Sequence, residues 1–98
     1  MAFKIILSPR AVQDLREIVR YISLDNPERA ESFGRELVAR TRRLATFPEF
    51  GRVVPELGEP DTREVIHKSY RIVYRVRHEQ QMIEVARFWH GARGIPGV

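Results

Sequence analysis

The sequence contains no cysteine among its 98 residues, which excludes disulfide bonds and thiolate metal sites. Long apolar runs are also missing: the run that follows Lys4 has only three residues, far short of a signal-peptide core or a membrane span. We therefore expect a cytoplasmic protein with no membrane segment. The length allows one modest core and is too short for two, so we expect residues 1–98 to form a single domain.

Lysine is scarce, with only Lys4 and Lys68, yet 15 arginines give the chain a net charge of +4. The charge is uneven: residues 51–64 hold two arginines against four carboxylates, whereas residues 65–98 hold six basic residues against two acidic ones. One interpretation is an ordinary basic surface. The other is that the basic C-terminal third binds an anionic partner, either nucleic acid or an acidic protein.

Two helix starts are marked by a capping residue followed by proline. Ser8 precedes Pro9 and Asn26 precedes Pro27, and both pairs are typical of the first turn of a helix. A mostly apolar stripe then follows each start at helical spacing: Val12, Leu15, Ile18, Val19 and Ile22 in the first helix, and Ala30, Phe33, Leu37, Thr41 and Leu44 in the second. The pattern predicts a helical hairpin with one shared apolar side, ending near Thr46.

The remaining segments favour strands. The apolar run "FKIIL" precedes the helices, and "TREVIH" and the long stretch Ser69–Gly91 follow a proline- and glycine-rich loop at residues 48–61. Glycine-rich residues 91–98 are expected to be irregular. The predicted fold is α+β with the order β-α-α-β-β-β, a helical hairpin packed on one face of a curved antiparallel sheet.

A four-residue turn at residues 78–81 fixes a register for the last two strands. Arg77 then pairs with Met82, Arg75 with Glu84, Arg71 with Phe88 and Tyr70 with Trp89. This register gives one apolar face, except for Arg87, which a bulge is able to turn outward. It predicts that Trp89 packs in the core beneath the helices.

In that register Arg71 and His90 share the open face as diagonal neighbours, and Arg93 lies just beyond them. An arginine fork and a titratable histidine are suited to binding a phosphate. The alternative is that the arginine only solvates the sheet and the histidine only ends a strand. His67 and His78 lack metal-like spacing with His90, so we expect neither a metal site nor a cofactor.

Four segments carry a family resemblance. In order, they are "ILSPRAVQDLREIVRYISLDNPERAESF", "FPEFGRVVPEL", "SYRIVYRV" and "IEVARFWHGAR". They resemble successive segments of the RelE/ParE toxin superfamily of type II toxin–antitoxin systems over nearly the whole chain. The "PEFGR…PELG" loop and the "HGAR" ending resemble the ParE-like plasmid-stabilisation group most. The resemblance implies the same fold and a toxin that a co-encoded antitoxin neutralises.

The resemblance leaves two mechanisms open. ParE-like members inhibit DNA gyrase without acting as enzymes, and RelE-like members are ribosome-dependent endonucleases that cut mRNA. For a nuclease, it implies Arg71 and His90 as catalytic residues, Glu56 as the general base and Arg93 as a further cation. Nuclease members that use this histidine follow it with tyrosine, whereas this chain has Gly91. We therefore expect gyrase inhibition, with mRNA cleavage on the ribosome as the alternative.

Overall fold

The computed structural model of the chain describes residues 2–98 and contains two helices and five strands. In chain order these elements are β1 (Lys4–Leu7), α1 (Pro9–Ser23), α2 (Pro27–Arg42), β2 (Arg52–Val53), β3 (Thr62–His67), β4 (Tyr70–Arg77) and β5 (Met82–His90). Short 3₁₀ turns at Arg43–Ala45 and Gly91–Arg93 follow α2 and β5. The predicted α+β architecture is confirmed, and β2 is an additional short strand inside the predicted loop.

Both predicted helix starts are confirmed by their caps. The Ser8 hydroxyl accepts a hydrogen bond from the Ala11 amide at 3.0 Å, and the Asn26 side chain accepts one from Arg29 at 3.1 Å. Each bond satisfies an amide that has no partner within its own helix. The five predicted apolar positions of α2 and the turn after it, from Ala30 to Leu44, are all buried.

The five strands form one sheet in the order β1-β5-β4-β3-β2. Strands β2 to β5 pair antiparallel, but β1 runs parallel to β5, with Ile5 opposite Ile83. The sheet is therefore mixed rather than wholly antiparallel as predicted. After β1, the helical hairpin crosses one face of the sheet. The β3-β4-β5 meander then places its last strand, β5, beside β1 and parallel to it.

The core lies between the helices and one face of the sheet. Two clusters fill it: Ala11, Ile18, Phe33, Leu37, Ile72, Val85 and Phe88 in one, and Leu44, Val65, Tyr74, Val76 and Ile83 in the other. Because side chains alternate along a strand, the neighbours of these residues point to the opposite face of the sheet, which we call the open face. Glu64 and Arg71 lie on the open face beside Val65 and Ile72.

The predicted β4–β5 register is correct near the turn and wrong beyond it. Arg77 pairs with Met82 and Arg75 with Glu84 as predicted, but a β-bulge between Val73 and Tyr74 makes Val73 pair with Arg87. Every later pair is shifted by one residue, which exchanges the faces of the side chains that follow.

The shift changes the positions that were predicted for His90 and Trp89. His90 lies opposite Tyr70, whereas Trp89 lies opposite Arg71. The predicted Tyr70–Trp89 pair beneath the helices is therefore wrong, and so is the predicted Arg71–Phe88 pair.

Candidate functional site

Arg71 is enclosed by two carboxylates on the open face. Its Nε lies 2.6 Å from Oε1 of Glu64, and its two terminal nitrogens lie 2.7 and 2.9 Å from the carboxylate oxygens of Glu56. The Arg71 side chain is only 11% exposed. Hydrogen bonds to Glu56 and then Glu64 raise the pKa of Arg71, and the Arg71 contact lowers the pKa of Glu56 to about 2.

Glu64 links this arginine to the opposite edge of the sheet. Its side chain is fully buried, and its second carboxylate oxygen lies 2.7 Å from the guanidinium of Arg52 in β2. The four residues Arg52, Glu56, Glu64 and Arg71 form what we call the open-face network. Since both carboxylates are neutralised by arginine and all three nitrogens of the Arg71 guanidinium contact them, the network fastens the loop between β2 and β3 to the sheet.

His90 lies on the side of the sheet that the helices cover. Its ring meets the Tyr70 ring edge-on with centroids 5.1 Å apart, and its Nδ1 accepts a hydrogen bond from the Ala92 amide at 3.1 Å. It lines a cleft of about 150 Å³ beside Tyr21 and Glu17 of α1. The predicted juxtaposition of Arg71 and His90 on the open face is wrong, because the bulge turns His90 to the other face.

Sequence reasoning missed the tyrosines that the fold brings to this histidine. Tyr21 comes from α1 and Tyr70 from the strand opposite, and both precede His90 by many residues. Burial raises the pKa of Tyr70. Only the correct pairing of β4 with β5 identifies Tyr70 as the neighbour, so no local signal in the sequence reveals this cluster.

Arg93 and Trp89 form a stack under the C-terminal residues. The Arg93 guanidinium lies 4.0 Å from the centre of the indole, and the Arg87 guanidinium lies 4.8 Å from it. The indole N–H donates to the carbonyl of Gly94 at 3.1 Å. Trp89 is buried as predicted, but by the C-terminal segment and the two arginines rather than by the helices.

Arg87 is buried in an ion pair with Asp14 of α1. Its Nε and Nη2 lie 2.7 and 2.9 Å from the two oxygens of Asp14, and one of those oxygens also accepts the Phe88 amide at 3.0 Å. The Asp14 contact raises the pKa of Arg87. The suggestion that a bulge turns Arg87 outward is therefore wrong: the bulge is present, but Arg87 is held against α1.

A groove of about 490 Å³ runs along the outer side of the helical hairpin. Its apolar lining comes from Leu15, Val19, Gly34, Val38 and Ala39, and its charged lining from Glu31, Arg35 and Arg42. A side chain at Gly34 would place its Cβ 2.9 Å from the Val19 methyl, so glycine allows the helices to approach closely here.

In residues 2–98, no three histidine or acidic side chains gather in a way that would hold a metal ion. None of the helices in that range is long and apolar enough to cross a membrane.

Comparisons with known proteins agree with this architecture. The model of a family described as the ParE toxin of the type II toxin–antitoxin system parDE matches residues 5–95. Toxin RelE1 of Caulobacter vibrioides is 29% identical over 93 residues, which are 93% of this chain and 96% of that protein.

Two solved structures share the fold. The chromosomal ParDE toxin–antitoxin system from P. aeruginosa includes a chain with a TM-score of 0.74 and 21% identity, over 91% of this chain and 96% of that one. The toxin–antitoxin complex RelBE2 from Mycobacterium tuberculosis includes one with a TM-score of 0.63 and 19% identity, over 92% and 99%.

Proposed function

The chain belongs to the ParE toxin family of type II toxin–antitoxin systems, and from this membership we propose that it inhibits DNA gyrase without acting as an enzyme. We propose further that a cognate, co-encoded antitoxin neutralises it. Membership of a toxin family supports the toxin role, and the sequence resemblance to the ParE-like group supports gyrase as the target.

The observation that carries the non-enzymatic proposal is the enclosure of Arg71 by Glu56 and Glu64. Cleavage of RNA through its 2′-hydroxyl needs cations that face the phosphate and an acid–base pair within reach of it. Here all three nitrogens of the candidate arginine contact carboxylates, and its side chain is only 11% exposed. The candidate histidine lies on the other face of the sheet. This separation favours inhibition by binding over mRNA cleavage.

The outer groove of the helical hairpin supports the proposal of an antitoxin partner. An amphipathic helix with apolar residues at helical spacing fits a groove of this kind. Because Arg42 lines the groove, where Arg35 pairs with Glu31, and because the chain is basic overall, we propose that this helix is acidic. Both solved structures that share the fold come from toxin–antitoxin systems, which is consistent with this proposal.

A second contact is proposed at the edge of the sheet. β1 is an edge strand of four residues, whereas the strand at the other edge, β2, has only two. An exposed edge offers free backbone donors and acceptors to an incoming strand. We propose that the antitoxin adds a strand beside Lys4–Leu7.

Induction of the protein in cells, with parallel readouts of DNA damage and mRNA integrity, tests the mechanism. The proposal predicts DNA-damage signalling and gyrase-linked DNA breaks, with ribosome-bound mRNA intact. His90→Ala is expected to remain toxic, because the histidine has no catalytic task. Cleaved mRNA without DNA damage, lost in His90→Ala, would instead support the endonuclease alternative.

Co-purification with the product of the neighbouring gene tests the antitoxin proposal. Val38→Asp places a charge in the groove and is expected to weaken this complex at least tenfold. Gln13→Asp, on the outer surface of α1, serves as the control and should bind normally. The proposal would be contradicted if the chain purified alone and the product of the neighbouring gene did not bind it.

A further inference from the structure

Two phenylalanine rings stand exposed on one turn beyond the helices. The segment "FPEFG", residues 47–51, forms a turn in which the Phe50 amide donates to the Phe47 carbonyl at 3.0 Å. Phe47 is 58% exposed and Phe50 is 51% exposed. Both rings line an open cleft of about 500 Å³, together with Thr46, Pro48, Glu49 and His78.

A buried tyrosine holds this turn in place. Tyr74 is completely buried, its hydroxyl donates to the Pro48 carbonyl at 2.8 Å, and the same oxygen accepts the Gly51 amide at 2.9 Å. Gly51 has no room for a side chain, because a Cβ there would lie 2.5 Å from the Glu64 carbonyl and 2.8 Å from the tyrosine oxygen. The two exposed rings are therefore presented by a turn that is tied to the core.

Arg43 further restricts the motion of the Phe50 ring, because its guanidinium lies 5.4 Å from the ring centre. Aromatic side chains held in one conformation lose little entropy when they bind, and they are frequent among the residues that dominate protein interfaces. Two exposed phenylalanines on a turn that is tied to the core have the properties of such an anchor.

We infer that the turn of residues 47–51 binds the protein target of the toxin, inserting Phe47 and Phe50 into an apolar cleft of that target. The inference rests on the proposed function, in which the target is DNA gyrase. This surface is separate from the proposed antitoxin groove, since no residue lines both.

The charges around the turn favour a protein over RNA. Glu49 lies between the two phenylalanines, and Asp61 lies 3.0 Å from the ring of His78, at the other side of the cleft. Carboxylates at both places repel a phosphate backbone and offset the positive charge of Arg43 at the Phe50 ring, whereas single-strand binding sites combine aromatic rings with a positive groove.

The patch by itself is too small to hold two copies of the chain together. Two half-exposed phenylalanine rings offer roughly 200 Å² between them, whereas a stable interface buries about 800 Å² on each partner. The rings are thus the centre of a larger contact that a partner must supply. A flat pairing of two such turns would leave most of that area unfilled.

Binding of the purified chain to purified gyrase holoenzyme tests the inference. The test variant is Phe47→Ala/Phe50→Ala, and the matched control is Leu24→Ala/Ile66→Ala, which removes two other exposed apolar side chains, 83% and 47% exposed. We expect wild type and control to bind and inhibit gyrase within twofold of each other. The test variant should bind at least tenfold more weakly while its thermal unfolding is unchanged.

Each contrary outcome is distinct. If the test variant binds gyrase as tightly as wild type, the inference is wrong while the proposed function stands. If wild type itself does not bind gyrase, the proposed target is wrong and the inference falls with it. The test variant is also compared with wild type for binding to a labelled single-stranded RNA and for self-association in sedimentation. If it keeps gyrase binding but loses RNA binding, the turn binds RNA; if it loses self-association instead, the turn binds a second copy. Either result would overturn the inference.

Discussion

Arg71 Nε lies 2.6 Å from a carboxylate oxygen of Glu64, whose side chain is completely buried. The sequence predicted that this arginine binds a phosphate. In the structure it instead neutralises a carboxylate inside the protein. The same relationship explains why the loop between β2 and β3 lies against the sheet, because Glu56 in that loop binds the other side of the guanidinium.

Arg71→Ala is expected to destabilise the fold by about 3 kcal/mol, near the lower end for breaking a buried ion pair, because Arg52 still contacts Glu64. Urea denaturation of the purified variant measures this. Arg75→Ala is the control: its pair with Glu84 is longer, at 3.8 Å, and partly exposed, so it should cost less than about 1 kcal/mol. Equal stability of the two variants would show that Arg71 is free for another role.

Asp14→Ala is expected to cost about 3–5 kcal/mol, because it leaves the buried Arg87 cation without its carboxylate and removes the acceptor of the Phe88 amide. The double variant Asp14→Leu/Arg87→Met should recover much of this loss, since neither charge is then left unpaired. Urea denaturation of the two variants provides the comparison. A double variant less stable than Asp14→Ala would contradict the ion-pair explanation.

Stability should fall in acid as two surface carboxyls are protonated. Contacts with Arg29 and with Arg71 lower the pKa of Glu36 and of Glu56, respectively, from 4.5 to about 2. Because these pKa values are lower in the folded chain, both carboxylates stabilise it above pH 4.5, and that contribution disappears as the pH falls toward 2.

Glu36→Gln/Glu56→Gln should therefore flatten the dependence of unfolding free energy on pH between about 4.5 and 2. Urea denaturation across that range gives the slope. Glu59→Gln is the control, since Glu59 makes no ion pair with any residue in the described range 2–98, and it should leave the slope unchanged. An unaltered slope in the double variant would refute the assignment.

Tyr74→Phe should destabilise the chain by about 1–2 kcal/mol, because the Pro48 carbonyl and the Gly51 amide lose their partner in a buried site. It should also speed amide hydrogen exchange at Gly51 and weaken binding to gyrase, because the turn that carries Phe47 and Phe50 becomes mobile. Tyr21→Phe, at a position 76% exposed, is the matched control. Unchanged exchange at Gly51 would indicate that the turn is rigid without the tyrosine.

Local signals predicted much of this fold. Ser8–Pro9 and Asn26–Pro27 place the helix starts because a cap acts within one turn of its own helix. The register beside the β4–β5 turn is likewise fixed by that turn and by the Arg75–Glu84 pair. These elements depend on residues that are close together in sequence.

The errors have the opposite origin. The bulge in β5 accompanies the Arg87–Asp14 pair, which joins residues 73 positions apart, and no local pattern shows that the arginine reaches α1. Glu36 likewise contacts residues distant in sequence, His67 and Lys68 at the end of β3, as well as Arg29 in its own helix. One displaced residue in β5 was enough to change the candidate site, because it moved His90 to the other face.

The most direct test of the account is a supercoiling assay with purified gyrase, run beside a ribosome assay that follows cleavage of a bound mRNA. The account predicts that the wild-type chain and His90→Ala inhibit supercoiling equally and that neither cuts the mRNA. Cleavage of ribosome-bound mRNA by the wild-type chain, abolished in His90→Ala, together with unimpaired supercoiling, would contradict it.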